Sequence, residues 1–278
     1  MSTTALTPTA ARQQTGSRLS FGGVIRSEWI KLRSLRSTVW SYLIVFAIAL
    51  GMAFLMSSSL SGMVAEGGTG SAAEQRGLLL MCATFGVVFG QLVVAVLGVL
   101  VISGEYSTGM IRSTLTAVPR RLPALAAKGL VLLVSTFVVG ALSTVGAFLV
   151  SSAVLGGQGV SASLTDVDVI LPLLGAALYL ALVSLVGLGI GAILRNSAGG
   201  IATILGLLLL LPMVLQMIPT EWAHDLLPYA LMSAGMASFG QSSFSSEITS
   251  VPLNLLIVLA WVTVSLIGAA ISLKRRDA

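Results

Sequence analysis

Charge is what this sequence lacks most. Asp, Glu, Lys and Arg together make up 9% of its 278 residues, against about 25% in a soluble domain. Hydrophobic residues make up 56%, and the mean hydropathy is +1.00. That balance excludes a soluble fold, whose surface needs far more polar side chains than this chain supplies. Length alone leaves room for one or two soluble domains, but the composition fits a single membrane bundle. Cysteine is nearly absent too. Cys82 stands alone in an apolar run, which excludes an intrachain disulfide and a thiolate metal centre and leaves a buried structural thiol. Histidine occurs once, as His224, with no second ligand beside it. There is no G-x-x-x-x-G-K-[ST] phosphate loop, so this chain does not bind ATP by that device. No Ser/His/Asp set and no carboxylate pair converges in the sequence. The chain is expected to be no enzyme and to hold no cofactor or metal.

What is present is a series of long apolar runs. A helix that crosses a bilayer needs about 20 mostly apolar residues. Six runs meet this, at about 39–56, 78–103, 129–155, 169–194, 198–218 and 251–273. The fold class is therefore all-α, an integral membrane bundle of six transmembrane helices spanning 39–273. Residues 1–19 are polar and Thr/Ala-rich and are expected to be disordered. Residues 274–278 form a short tail. The N terminus does not resemble a cleaved secretory signal, because its apolar run starts only near residue 39.

The sparse charges orient the bundle. With the N terminus in the cytoplasm, six spans return the C terminus there. Every Lys and Arg except Arg76 then lies inside, while Glu66, Glu74, Asp166, Asp168, Glu221, Asp225 and Glu247 lie outside. This satisfies the positive-inside rule and places the protein in the cell membrane. The net charge of +5 is explained by that topology. The basic residues flank apolar segments and form no groove-reading patch, so no nucleic-acid partner is expected.

Three elements fall outside the spans. Residues 20–38 include "FGGVIRSEWIKLRSLRST". At 100° per residue, Phe21, Val24, Ile25, Leu32 and Leu35 share one face, with Trp29 at its edge and Arg26 and Arg33 turned away. This is an amphipathic helix suited to the inner membrane surface. Glu28 breaks its apolar face, and Lys31 lies at the spacing that allows the two to pair. The second element, "GEYSTGMIRSTLTAVPRRLPALAAKGL", crowds Glu105, Arg112, Arg120, Arg121 and Lys128 between two spans. Gly109 starts or interrupts a short helix in which Ile111, Leu115 and Val118 share a face, and Pro119 ends it. That face needs a cover, either lipid headgroups or a partner protein. The third element, 219–250, is too polar to span but rich enough in Leu, Met, Trp and Tyr to dip into the outer interface as short broken helices.

Within the spans, ionisable groups are almost missing, which weighs against an ion-coupled pump. Gln91, Gln216 and Asn254 are the few large polar side chains in or at the ends of spans. They line a substrate path or bond one helix to another. The glycines of "GLGIGAIL" (Gly187, Gly189, Gly191) echo a dinucleotide fingerprint, but inside a span they read as close helix packing. Gly86 and Gly90 show the same four-residue spacing.

The order Glu105, Gly109, "IRSTLTAVPRR", Ala127-Lys128 resembles the first cytoplasmic loop of membrane subunits of type-two, ABCG-like ABC exporters. The similarity extends to the basic amphipathic helix, the six spans and the broken segment before the last one. The resemblance implies a permease subunit that works with a separate ATPase subunit and a second permease chain, identical or different, in the lipid bilayer. It implies that the short helix is a coupling helix, with Glu105, Gly109, Ile111, Arg112, Leu115, Val118, Arg120 and Arg121 at the ATPase contact. Glu28, Trp29, Lys31 and Leu32 would belong to an elbow helix, and Arg195, Asn196 and Ser197 to a second cytoplasmic contact. Other readings are a stand-alone secondary transporter or channel, or a non-transporting membrane scaffold.

Overall fold

A computed structural model describes residues 20–107, 121–241 and 250–275. The described residues are all-helical, and six segments are long and apolar enough to cross a membrane. Helix α1, Phe21–Ser34, starts where the Ser20 hydroxyl accepts a bond from the Gly23 N–H at 3.2 Å. It ends at Leu35, whose extended backbone (φ −76°, ψ 115°) separates it from α2, Arg36–Gly67. The amphipathic stretch expected over 20–38 is therefore two helices, joined by one residue.

The first span is longer than its apolar run. The polar segment after Met56 stays helical because its hydroxyls bond back to carbonyls: Ser57 to Ala53, Ser59 to Met56 and Ser61 to Ser58. Helix α3, Ala72–Phe85, opens on a capping box between Ser71 and Glu74. It passes through Gly86 into α4, Val87–Ser107. A Cβ at Gly86 would lie 2.7 Å from the Ala49 Cα, so α2 presses on the backbone where α3 and α4 meet. Helix α5 runs over Arg121–Gly156 and tolerates Pro123 in its first turn, where no intrahelical donor is needed.

Helix α6, Val167–Leu194, is the hub of the bundle and is buried along most of its length. It crosses α4 so closely that a Cβ at Gly191 would lie 2.9 Å from the Val99 carbonyl, and one at Gly187 would overlap the Ala95 carbonyl. On its other side a Cβ at Gly189 would lie 2.7 Å from Ser265. The glycine run is a packing seam, and Gly98 of α4 belongs to it, set against Ser184. Of the earlier pair, Gly86 makes such a close approach and Gly90 only ordinary contacts.

The fifth span comprises α7, Ser197–Leu205, a π-helical turn, Gly206–Leu210, and α8, Leu211–Met217. Pro212 has no N–H to donate and its ring crowds the preceding turn, so the wide turn falls just before it. Then come α9, Glu221–Leu226, a 3₁₀ turn, Leu227–Tyr229, and α10, Leu231–Ala237. Helix α10 is buried beside the last helix, α11, Val251–Arg275, and Trp261 donates to the Tyr229 carbonyl at 3.0 Å.

Candidate functional site

Four of the scarce charges gather at one end of the bundle. Glu28 and Lys31 come from α1, Glu105 from the last turn of α4, and Lys128 from the start of α5. Lys128 Nζ lies 2.5 Å from Glu28 Oε2 and 2.8 Å from Glu105 Oε1. Lys31 Nζ lies 2.8 Å from Glu28 Oε1 and 3.3 Å from Glu105 Oε1. Two carboxylates and two ammoniums thus balance within one cluster. Glu28, Glu105 and Lys128 are buried, while Lys31 keeps 37% of its side chain exposed.

Burial alone would raise the Glu28 carboxyl above its ordinary range. The Lys128 ammonium, with help from Lys31, outweighs this and holds it below. For Lys31, burial alone would depress the ammonium, but its bond to Glu28 and the charges of Glu105 and Glu28 raise it instead. Both groups are therefore held charged. Among the described residues, nothing donates a hydrogen bond to Glu105 Oε2.

Glu28 does not break the packed face of α1 but forms part of it. Val24, Glu28 and Leu32 are the buried residues, with Ile25 partly covered. Phe21 and Leu35, expected on that face, are 49% and 40% exposed, as is Trp29 in large part. The face that packs is narrower than the hydrophobic stripe and carries Glu28, whose carboxylate is bonded to Lys128. Glu105, read as the opening of the loop, is still helical and inside the bundle. Gly109, Ile111, Arg112, Leu115, Val118 and Arg120 lie outside the described residues. Arg121 begins α5.

The turn Arg195-Asn196-Ser197 lies at the same end. Arg195 is left-handed (φ 53°), and the Asn196 side chain caps α7 by accepting from the Gly199 N–H at 3.0 Å. The Arg195 guanidinium sits 5.1 Å from the centre of the Tyr106 ring and donates to the Ser272 carbonyl at 3.2 Å. Ser197 bonds to Ser103 at 2.9 Å. The ends of α4, α6, α7 and α11 are thereby stitched together one turn from the Glu105 cluster.

The three polar residues offered as a substrate path or as bonds between helices stand on three different helices, α4, α8 and α11. Gln91 is buried and bonded to the Tyr179 hydroxyl and to the Val88 carbonyl. Asn254 is buried near the other end of α11, where its amide reaches the Ser250 carbonyl at 3.4 Å. Gln216 is exposed. Tyr179, whose ring rests on Gly235, went unnoticed in the sequence; an isolated Tyr in a run of Leu and Ala was its one signal. Among the described residues no three His, Cys, Asp or Glu side chains converge to hold a metal. Compared with known protein families and with curated proteins, the chain matches none.

Proposed function

We propose that this chain is the membrane-spanning permease subunit of an ATP-driven transporter of the type-two, ABCG-like class. It works as an exporter with a separate ATPase subunit and a second permease chain. One observation carries the reading. The Glu28–Lys31–Glu105–Lys128 cluster ties α1 to both flanks of the stretch 108–120, whose sequence pattern is that of a coupling helix. Glu105 stands in the helix that leads into that stretch, and Lys128 in the helix that follows it. A force applied to the stretch by a partner reaches α1 through buried ion pairs, which resist separation in a low-dielectric setting. Only Leu35 lies between α1 and α2, so movement of α1 is movement of the first span. The bonded turn at Arg195–Ser197 gives the partner a second firm contact at the same end.

The short helices between the fifth and sixth spans agree with the broken outer segment of that class. In this reading both termini are cytoplasmic and the protein sits in the cell membrane. A bundle whose charges lie at its two ends, with spans nearly free of them, offers a path suited to amphipathic or hydrophobic cargo.

The test is purification of the tagged chain in mild detergent, followed by an ATPase assay on what accompanies it. A co-purifying ATPase whose activity is uncoupled by Leu115→Asp, with insertion intact, is the expected result. Absence of any ATPase, or transport that persists after ATP depletion, replaces this reading with a stand-alone carrier or channel.

A further inference from the structure

Among the described residues, Arg195 is the one non-glycine residue with a positive φ (φ 53°, ψ 19°); Gly68, Gly70, Gly159 and Gly240 are the others. Left-handed backbone at a helix end suits glycine, and an L side chain is strained there. Such strain persists where the surroundings hold the residue by other means. Here the guanidinium supplies the hold, over the Tyr106 ring at 5.1 Å and on the Ser272 carbonyl at 3.2 Å.

Tyr106 belongs to the last turn of α4, which also carries Ser103 and Glu105. Successive residues of a helix are about 100° apart, so Ser103 and Tyr106 share a face and Glu105 points well away from both. Both faces are bonded. On one, Ser103 meets Ser197 at 2.9 Å and Tyr106 meets Arg195. On the other, Glu105 meets Lys128 of α5 and Lys31 of α1. The elements behind the two faces differ. Helix α1 packs on α5 and runs through Leu35 into the first span, whereas α7 packs on α4 and α6, and α11 on α6.

We infer that the last turn of α4 is a two-way junction, with Arg195 as the positioning residue of its second branch. A displacement of this turn travels through Glu105 to α1, α5 and the first span. It travels through Ser103, Tyr106 and Arg195 to the fourth, fifth and sixth spans. The junction is a property of the bundle alone. That the displacement starts at an ATPase on 108–120 rests on the permease reading, and the junction can be measured without any ATPase.

Hydrogen exchange of the full chain in detergent, read peptide by peptide by mass spectrometry, is that measurement. Arg195→Gly relieves the left-handed backbone and deletes the guanidinium. It is expected to speed exchange at 200–204 and 270–274 about tenfold, through loss of the ring contact and one hydrogen bond, and to leave 25–32 at the parent's rate. Glu105→Gln does the reverse, speeding 25–32 and sparing the other two segments. Tyr106→Phe keeps the ring and the parent's pattern, whereas Tyr106→Leu reproduces Arg195→Gly. A general loosening of the bundle would not separate these variants. If Arg195→Gly and Glu105→Gln speed all three segments alike, this end of the bundle is one rigid block and the junction is overturned. It is overturned equally if Tyr106→Leu leaves 200–204 and 270–274 as protected as in the parent.

Discussion

Lys128 is one ammonium shared by two buried carboxylates, and its removal leaves Glu28 and Glu105, among the described residues, with the half-exposed Lys31 alone. Breaking a buried pair by deleting one partner costs about 3–5 kcal/mol. Lys128→Met is expected to destabilise by that amount in thermal unfolding of the detergent-solubilised protein. Lys31→Met, at the open side of the cluster, should cost under about 1 kcal/mol. An equal loss for the two variants would mean that the cluster is not organised around Lys128. The cluster also sets a pH window. The Glu28 carboxyl titrates below its ordinary value of 4.5 in the folded protein. Its ionisation therefore contributes stability that is complete above that value and is lost as pH falls through the lower folded one. Lys31 titrates above its ordinary 10.5, so its contribution is complete below that and is lost as pH rises through the higher folded value. The melting temperature of Glu28→Gln should consequently fall less steeply with acid than that of the parent. None of this clustering was legible in the sequence beyond the Glu28–Lys31 spacing. The decisive partners, Glu28 and Lys128, lie 100 residues apart, and no local pattern joins residues so distant.

Among the helices, α6 shows what sequence periodicity conveys and what it does not. The alternating glycines of Gly187–Gly191 read as a packing seam, and the backbone contacts to Ala95, Val99 and Ser265 are that seam. The uninterrupted apolar runs likewise marked all six long helices, because a bilayer leaves no other way to satisfy their backbone. The ends were less legible. Hydropathy stops at polar residues, whereas the first helix continues through its serines by bonding their hydroxyls to its own carbonyls. The close approach of α2 at Gly86, where α3 gives way to α4, is a contact that the sequence of the second span does not contain. The seam gives a sharp contrast. Gly187→Leu drives a side chain into the Ala95 backbone and should cost about 1–3 kcal/mol or more. Gly62→Leu points into open space, with nothing within 4 Å, and should be silent. Size-exclusion profiles and melting temperatures of the two variants check this, and loss of monodispersity is expected for Gly187→Leu alone.

Across the whole molecule, charge is divided between two ends. One end holds the four-residue ion cluster and the Arg195 turn. The other holds Arg76, paired with Asp168 at 2.7 Å across α3 and α6. That exposed pair contributes little to stability, but it neutralises the one Lys or Arg that the described residues place on a side otherwise populated by carboxylates. The division makes the orientation testable with the protein's own chemistry. Cys82 is the sole thiol and is buried, so Cys82→Ala gives a background free of reactive cysteine. Gly22 lies on α1 near the ion cluster's end, and a Cβ there makes only a 3.6 Å contact with Ser20. Gln158 is exposed in the turn between α5 and α6, at the Arg76 end. With basic residues retained inside, a membrane-impermeant maleimide should label Gln158→Cys in intact cells and reach Gly22→Cys only after permeabilisation. The reverse pattern would invert the bundle and place the ion cluster and the 108–120 stretch outside, beyond the reach of any cytoplasmic ATPase. Labelling of neither position before permeabilisation would remove the six-span topology itself.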